Sequence, residues 1–149
     1  MTMTSRRFSL CALTALAALT LLSGCNRSDD PQSSLDAAVR QLQDNLEAKK
    51  TGDVLDQLHP SFRAQQEFDR DWAKRTMTGL FLQHQQVKIV ALSQSSIVDP
   101  KARDFGLTEA QVVLTGAQGL IPDQVSPYRV QLRWQRDGKT WKLLNLDWQ

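Results

Sequence analysis

The stretch that decides the fold class is residues 128–148, which read YRVQLRWQRDGKTWKLLNLDW. In its first nine residues, aromatic and aliphatic side chains alternate with Arg and Gln. This period of two is typical of a strand with one buried face. Asp137-Gly138 follows, and both residue types tolerate the positive φ angles of a tight turn. Residues 140–148 continue as a second strand, so the sequence predicts an antiparallel hairpin.

Two further strands are predicted before this hairpin, over 86–95 and 107–115. Residues 116–127, between the second strand and the hairpin, are predicted to form a long loop. Upstream, the spacing of apolar residues changes from two to the 3.6 of a helix. Helices are predicted in three segments, which are 35–50, 53–58 and 69–84. Helices followed by strands indicate an α+β domain, in which the helices pack on a curved, mainly antiparallel four-stranded sheet.

The last strand carries apolar residues at nearly every position. Simple alternation would put Trp141 and Leu143 on one face, and Leu144, Leu146 and Trp148 on the other. A strand that is buried on one face only alternates between apolar and polar residues. We therefore expect the outer face of the sheet to be covered, either by a second copy in a homodimer or by another partner.

The N-terminus reads as a secretion signal. Arg6 and Arg7 precede an apolar run over 8–22, which is shorter than the roughly 20 residues that span a bilayer. The run ends in Leu22-Ser23-Gly24-Cys25, which resembles the bacterial lipobox. This resemblance implies that residues 1–24 are a signal peptide and that Cys25 is lipidated with fatty acyl groups such as palmitate, making the protein a membrane-anchored lipoprotein.

The expected organisation is therefore a signal peptide over 1–24, a lipidated Cys25 with a polar tether over 25–34, and a single α+β domain over 35–149. A lipid-anchored domain of this kind lies in the bacterial cell envelope and faces the periplasm. Asn26 follows the cysteine, where Asp resembles an inner-membrane retention signal. The outer membrane is therefore favoured over the inner one.

Charge and cysteine content exclude several classes of function. Without Arg6 and Arg7, the chain keeps 16 Lys and Arg against 16 Asp and Glu, so a broad basic surface for nucleic acid is not expected. Cys11 leaves with the signal, and Cys25 is used by the lipid. No thiol then remains for a disulfide, a metal site or a cysteine nucleophile. No metal-ligand or cofactor-binding motif is present either, so neither a metal nor a cofactor is expected.

The order of the elements, together with two short motifs, resembles the nuclear transport factor 2-like superfamily. The motifs are Leu58-His59-Pro60-Ser61-Phe62, read as a turn after the second helix, and Gly138-Lys139-Thr140-Trp141-Lys142-Leu143 in the final hairpin. The resemblance implies a cone-shaped domain with a cavity between the helices and the sheet. The superfamily includes ketosteroid isomerases, scytalone dehydratases and polyketide cyclases as well as non-catalytic domains, so the fold does not decide function.

Candidate catalytic residues are few. An isomerase-like site needs a carboxylate base and an oxyanion hole, for which Tyr128 and Asp147 are the available pair. A dehydratase-like site would resemble a His–Asp pair, and Asp56 lies three residues before His59. His84 ends a helix, where its interaction with the helix dipole explains it. We assign no catalytic residue, and the alternative function is a small cavity enzyme that uses His59, Asp56 or Asp147.

The function expected from the sequence is binding without catalysis. The domain would bind a small apolar ligand or an envelope protein while its lipid holds it at the membrane. An accessory subunit of an envelope complex is a further alternative. The expected ligand or partner contacts are Leu120 and Ile121, in the loop before the third strand, and Tyr128 and Trp134, on that strand at the expected mouth of the cavity.

Overall fold

A computed structural model describes residues 30–116 and 127–149. Three helices and five strands follow one another in the order α1 (Pro31–Glu47), α2 (Thr51–Gln57), β1 (Leu58–Ala64), α3 (Arg70–Gln83), β2 (Lys88–Val98), β3 (Phe105–Thr115), β4 (Tyr128–Asp137) and β5 (Thr140–Trp148). The strand order in the sheet is β1-β5-β4-β3-β2. The α+β class with helices on one sheet is confirmed, whereas the lipobox, Leu120 and Ile121 lie outside the described residues.

Two of the three described helices, α1 and α3, begin at aspartates that cap their first turns. The carboxylate of Asp69 accepts a hydrogen bond from the backbone N–H of Trp72 at 2.9 Å, as expected for the start of α3. Asp30 caps α1 in the same way, with the N–H of Ser33 at 2.9 Å. The helix therefore starts at Pro31 rather than at the expected Leu35, because proline suits the first helical position, where no N–H is needed.

The segment that was read as a turn at Leu58–Phe62 is part of β1, and this expectation was wrong. β1 runs parallel to β5, with Leu58 opposite Leu143 and Ala64 opposite Leu146. Pro60 is tolerated because β1 is an edge strand, where a missing N–H breaks no hydrogen bond of the sheet. The sheet is therefore mixed and five-stranded instead of four-stranded.

β5 contains an irregularity that changes which face its side chains occupy. Arg133 of β4 lies opposite Asn145, but the next residue, Trp134, lies opposite Leu143. Leu144 is thus the extra residue of a bulge, and side chains after it reverse their faces. Four apolar residues of β5 belong to the core cluster or pack against it, which are Trp141, Leu143, Leu146 and Trp148.

The expectation that β5 is apolar on both faces was therefore wrong. The homodimer that it suggested remains a prediction without that support. Exposed apolar side chains do occur on β2 and β3, which lie towards the opposite edge of the sheet from β1. They are Val90, Leu92, Ile97 and Phe105.

α1 lies along the free edge of β2 and bonds to its backbone. Near the start of α1, the side-chain oxygen of Gln32 accepts a hydrogen bond from the N–H of Val98 at 3.0 Å. Near its end, Gln43 donates to the carbonyl of Ile89 and Glu47 accepts from the N–H of the same residue, both at 3.0 Å. These contacts satisfy backbone groups that an edge strand otherwise leaves open to pairing.

The core is densest at one end of the sheet, where α1 begins. Leu35 and Trp134 are completely buried there, and a Cβ atom on Gly106 would come within 2.7 Å of Leu35. No described helix is long and apolar enough to cross a membrane. Side chains fill this end of the domain, and the space beneath the other end of α1 is where the candidate site lies.

Candidate ligand cavity

A cavity of about 610 Å³ lies between α1, α3 and the face of the sheet that the helices cover. Its volume is within the range of about 300 to 1,000 Å³ typical of pockets for small molecules. Val39 and Leu42 line it from α1, Met77 from α3, and Ala110 and Leu132 from the sheet. The cavity is thus a part of the core that protein side chains leave unfilled.

One face of α3 lines the cavity. Its lining residues are Trp72, Ala73, Thr76, Met77, Leu80, Phe81 and His84. These positions repeat at three and four residues, so they form one continuous stripe. Leu80 belongs to this stripe and is 46% exposed, so the cavity is open to solvent at this position.

Stacked aromatic rings form one wall of the cavity. Trp72 stacks on Phe68 with the ring centroids 4.7 Å apart, and it lies 6.2 Å from Trp148 at an angle of 11°. Trp72 and Trp148 both line the cavity. Two of the four tryptophans are therefore placed where a bound molecule would change their fluorescence.

The fully buried polar side chain of the cavity is already hydrogen-bonded. Thr108 is the one polar residue among the described lining residues that is fully buried. Its hydroxyl accepts from the indole N–H of Trp134 at 3.2 Å and shares a hydrogen bond with Ser96 at 2.9 Å. The half-buried Gln43 is engaged with Ile89. Away from the mouth, Thr76 and Gln94 also line the cavity and have no described side-chain hydrogen bond, and the remaining contacts offered to a ligand are mainly apolar.

The described lining residues include no Asp, Glu, Lys or Arg, and their titratable side chains are His84 and Tyr128. An ion that entered such a space would lose its hydration without gaining an opposite charge. Within the described chain there is also no group of three or more residues able to hold a metal ion. The cavity therefore suits uncharged, apolar molecules.

The mouth of the cavity is defined here by Leu80, His84, Gly116, Leu114 and Tyr128. Leu114 is 42% exposed and Tyr128 is 39% exposed, although both also line the cavity. A Cβ atom on Gly116 would lie 2.8 Å from the backbone oxygen of Gln86, so glycine permits the close approach of the end of β3 to the chain after α3. Apolar and polar side chains meet at this opening.

A lysine holds the end of α3 at the mouth. The ammonium of Lys49 donates hydrogen bonds to the backbone oxygens of Phe81, at 3.2 Å, and of His84. These oxygens belong to the last turn of α3, where carbonyls lack partners within the helix. Lys49 itself has a φ of 57°, a left-handed conformation that turns the chain after α1. The mouth is therefore held by a polar contact rather than by packing.

A glutamate holds the start of β2 on the other side of the mouth. Glu47 accepts hydrogen bonds from the N–H of Ile89 at 3.0 Å and from the ammonium of Lys88 at 2.9 Å. Gln43 donates to the same carboxylate at 3.2 Å. These donors, the Ile89 N–H first, lower the pKa of Glu47 to about 2. Glu47 is therefore ionised at neutral pH and fastens α1 to β2.

Of the expected ligand contacts, Tyr128 lies at the mouth. Trp134 is completely buried, bonds to Thr108 and does not line the cavity. It shares the inner face of β4 with Tyr128 but lies at the closed end of the domain. Leu120 and Ile121 are outside the described residues. Sequence reasoning missed Leu114, although its period of two with Val112 on β3 was visible.

The residues of the alternative catalytic site do not meet in the cavity. Asp56, His59 and Asp147 are all absent from its described lining. The ring Nδ1 of His59 accepts a hydrogen bond from the backbone N–H of Ser61 at 3.0 Å, which is a local contact within β1. Asp147 lies opposite Gln131 in the sheet. These three residues therefore do not form an acid–base group in this cavity.

Comparison with known proteins supports the fold. The sequence matches no protein-family model, and it matches no curated protein. An NTF2-like protein of unknown function from Pseudomonas putida KT2440 has a TM-score of 0.64 at 8% identity, over 78% of this chain and 84% of that one. A protein from Shewanella frigidimarina, provisionally named a ketosteroid isomerase, gives 0.62 at 13% identity, over 82% and 97%.

A third similar structure, Bd1075 of Bdellovibrio bacteriovorus, has a TM-score of 0.65 at 13% identity. The match covers 76% of this chain and 38% of Bd1075, so this chain corresponds to less than half of that protein. At such identities, similarity establishes the fold and not the activity. The domain has the NTF2-like, cystatin-like α+β fold, with an apolar cavity between its helices and its sheet.

Proposed function

We propose that this domain binds a small apolar molecule in its cavity and performs no catalysis. The observation that carries the proposal is an open space of about 610 Å³ whose described lining has no charged side chain. Filling such a space with an apolar molecule removes hydrocarbon surface from water, at about 25 cal/mol for each Å². A ligand would thus complete the core that the side chains of α3 and the sheet leave open.

The same lining argues against proton-transfer chemistry. An isomerase-like reaction requires a carboxylate base beside the substrate, and no described carboxylate lines the cavity. His84 and Tyr128 can exchange protons, but both lie at the mouth, where water can enter. No described aspartate or glutamate hydrogen-bonds to either side chain to orient it. Binding is therefore the function that the arrangement of residues supports best.

The proposal is tested by filling the cavity from one strand. Ala110 of β3 lines the cavity and is buried, whereas the neighbouring Glu109 is exposed and does not line it. Ala110→Phe adds a ring inside the cavity, and Glu109→Phe adds the same ring on the opposite face of the sheet. Binding of Nile red, a neutral apolar dye, is measured by its fluorescence in both variants and in the unsubstituted protein.

We expect Ala110→Phe to weaken dye binding at least about tenfold, equivalent to 1.4 kcal/mol, while Glu109→Phe leaves it unchanged. Thermal unfolding checks that both variants are folded. Equal dye binding by all three proteins would show that the dye binds elsewhere. No dye binding by any of them would reject an apolar binding cavity.

We also propose that a lipid on Cys25 anchors the domain in the cell envelope, with the outer membrane favoured and the domain facing the periplasm. The five residue-to-residue steps from Cys25 to Asp30 reach at most about 18 Å. α1 has 17 residues and is about 25 Å long, and the mouth lies near its far end. An anchor at the start of α1 would therefore keep the mouth from pressing against the membrane that holds it.

The anchor has a direct test. Replacing Cys25 with Ser should release the protein into the soluble fraction of lysed cells, and mass spectrometry of the unsubstituted protein should show acyl chains on Cys25. Two or more chains are expected, because a single chain binds membranes only marginally. A Ser variant that stays with the membranes, together with an unmodified Cys25, would refute the lipid anchor.

A further inference from the structure

Most of the lining side chains that can form hydrogen bonds but have no described partner are exposed, namely Gln86, Gln94, Thr115 and Tyr128, and Thr76 and His84 are half-buried. His84, Gln86 and Tyr128 line the cavity, and their side chains make no hydrogen bond within the described part of the protein. In the interior, the hydroxyl of Thr108 is already bonded to Trp134 and Ser96. A ligand can therefore form hydrogen bonds most readily at the mouth.

The cations at the mouth already have partners. Lys49 donates to the backbone oxygens that end α3, and Lys88 is paired with Glu47 at 2.9 Å. Neither lysine lines the cavity, so an anionic end beside Tyr128 and His84 would meet no cation of the described lining. A cationic ligand would find no carboxylate in the described lining.

From these two observations we infer that the ligand is a neutral amphiphile. Its apolar body occupies the cavity, and its uncharged hydrogen-bonding end, such as a hydroxyl or an amide, lies at the mouth beside Tyr128 and His84. This inference rests on the proposed binding function and adds the polarity and orientation of the ligand. A neutral end can exchange its hydrogen bonds to water for bonds to these side chains, whereas a charged end would give up part of its hydration there and meet no opposite charge in the described lining.

The charge of the polar end is tested with probes that share one ten-carbon chain. Decanol, decanoate, decylammonium and 1-bromodecane are titrated at pH 8 below the concentrations at which they aggregate. Binding is followed by displacement of Nile red and by the fluorescence of Trp72 and Trp148, which line the cavity. We expect decanol to bind at least about tenfold more tightly than either ion.

The position of the polar end is tested in the double variant Tyr128→Phe/His84→Phe. We expect its affinity for decanol to fall about threefold to tenfold, the effect of losing one neutral hydrogen bond. Its affinity for 1-bromodecane, which cannot donate a hydrogen bond, should stay unchanged, and this result also shows that the variant is folded. Thr78→Val removes an exposed hydroxyl of α3 that does not line the cavity, and it should change neither affinity.

The outcomes separate this inference from the proposed function. If decanoate or decylammonium binds as tightly as decanol, the ligand end is not required to be neutral and the inference fails. If the double variant keeps the full preference for decanol over 1-bromodecane, the polar end does not lie at Tyr128 and His84, and the inference also fails. If no probe binds, including 1-bromodecane, the proposed function fails and the inference falls with it.

Discussion

Glu47 should contribute to folding stability in a manner that depends on pH. Its carboxylate accepts hydrogen bonds from the N–H of Ile89, the ammonium of Lys88 and the amide of Gln43. These contacts lower its pKa from 4.5 to about 2. At about 1.4 kcal/mol for each tenfold change in proton affinity, the lowering corresponds to at most about 3 kcal/mol.

The net contribution should be smaller than this limit. Lys88 is 66% exposed, so its ion pair with Glu47 contributes little. The bond from the Ile89 N–H is better shielded, since only 19% of the Glu47 side chain is exposed. A glutamine at this position keeps the size and can still accept a hydrogen bond. We therefore expect Glu47→Gln to reduce the free energy of unfolding by about 1 to 2 kcal/mol at pH 7.

The pH dependence follows from the direction of the pKa change. Because the folded state lowers the pKa of Glu47, its contribution is present above about pH 4.5 and is lost as the pH falls towards 2. Urea denaturation of both proteins at pH 7, 4.5, 3 and 2 should show the difference between them shrinking along this series. Other carboxylates titrate in both proteins and cancel in the difference.

Asp53→Asn is the matched control. Asp53 pairs with Lys50 at 3.7 Å, and both side chains are 57% exposed, so this substitution should change stability by less than about 0.5 kcal/mol. If Glu47→Gln proves as stable as the unsubstituted protein at pH 7, Glu47 does not fasten α1 to β2. A difference of the same size at pH 7 and pH 2 would show that the loss does not come from the ionised carboxylate.

Two further substitutions test the packing at the closed end of the domain. Gly106→Ala would place a Cβ atom 2.7 Å from the completely buried Leu35, and we expect it to cost about 1 to 3 kcal/mol in urea denaturation. Gly52→Ala is the control, because a Cβ atom on this residue of α2 would have no atom within 4 Å, and it should be neutral or stabilising. If both variants lose similar stability, close packing against Leu35 is not the reason for the loss in Gly106→Ala. Thr108→Val should lower the free energy of unfolding by about 1 to 3 kcal/mol, because it leaves the indole N–H of Trp134 without its acceptor. An unchanged midpoint of urea unfolding would show that this hydrogen bond does not stabilise the fold.

The parts of the fold that could be predicted from the sequence depend on local patterns. α3 follows from its helical spacing and from Asp69 as a cap, and the hairpin of β4 and β5 follows from alternation around Asp137-Gly138. The start of α1 was missed because Pro31 lies in a polar run that resembles a tether. Asp30 before it, with Ser33 three residues later, is the capping signal that indicates a helix there.

The features that were missed depend on contacts between distant parts of the chain. β1 is a strand because it pairs with β5, about 80 residues later, and the sequence around Pro60 alone favours a turn. The bulge at Leu144 depends on the register with β4, so the pattern of β5 by itself predicts the wrong faces. The cavity is a space that side chains do not fill, and no residue type encodes it directly. Tyr128 could be anticipated because it begins a strand after a segment that the sequence predicts to be a loop.

The central claim is that the cavity holds an apolar molecule, and native mass spectrometry of the purified protein tests it most directly. The unsubstituted protein, saturated with decanol and then freed from excess, should carry one bound molecule, whereas Ala110→Phe should carry none. Glu109→Phe should behave like the unsubstituted protein. If Ala110→Phe retains the bound molecule, or if the unsubstituted protein carries none, the cavity is not the binding site that this account describes.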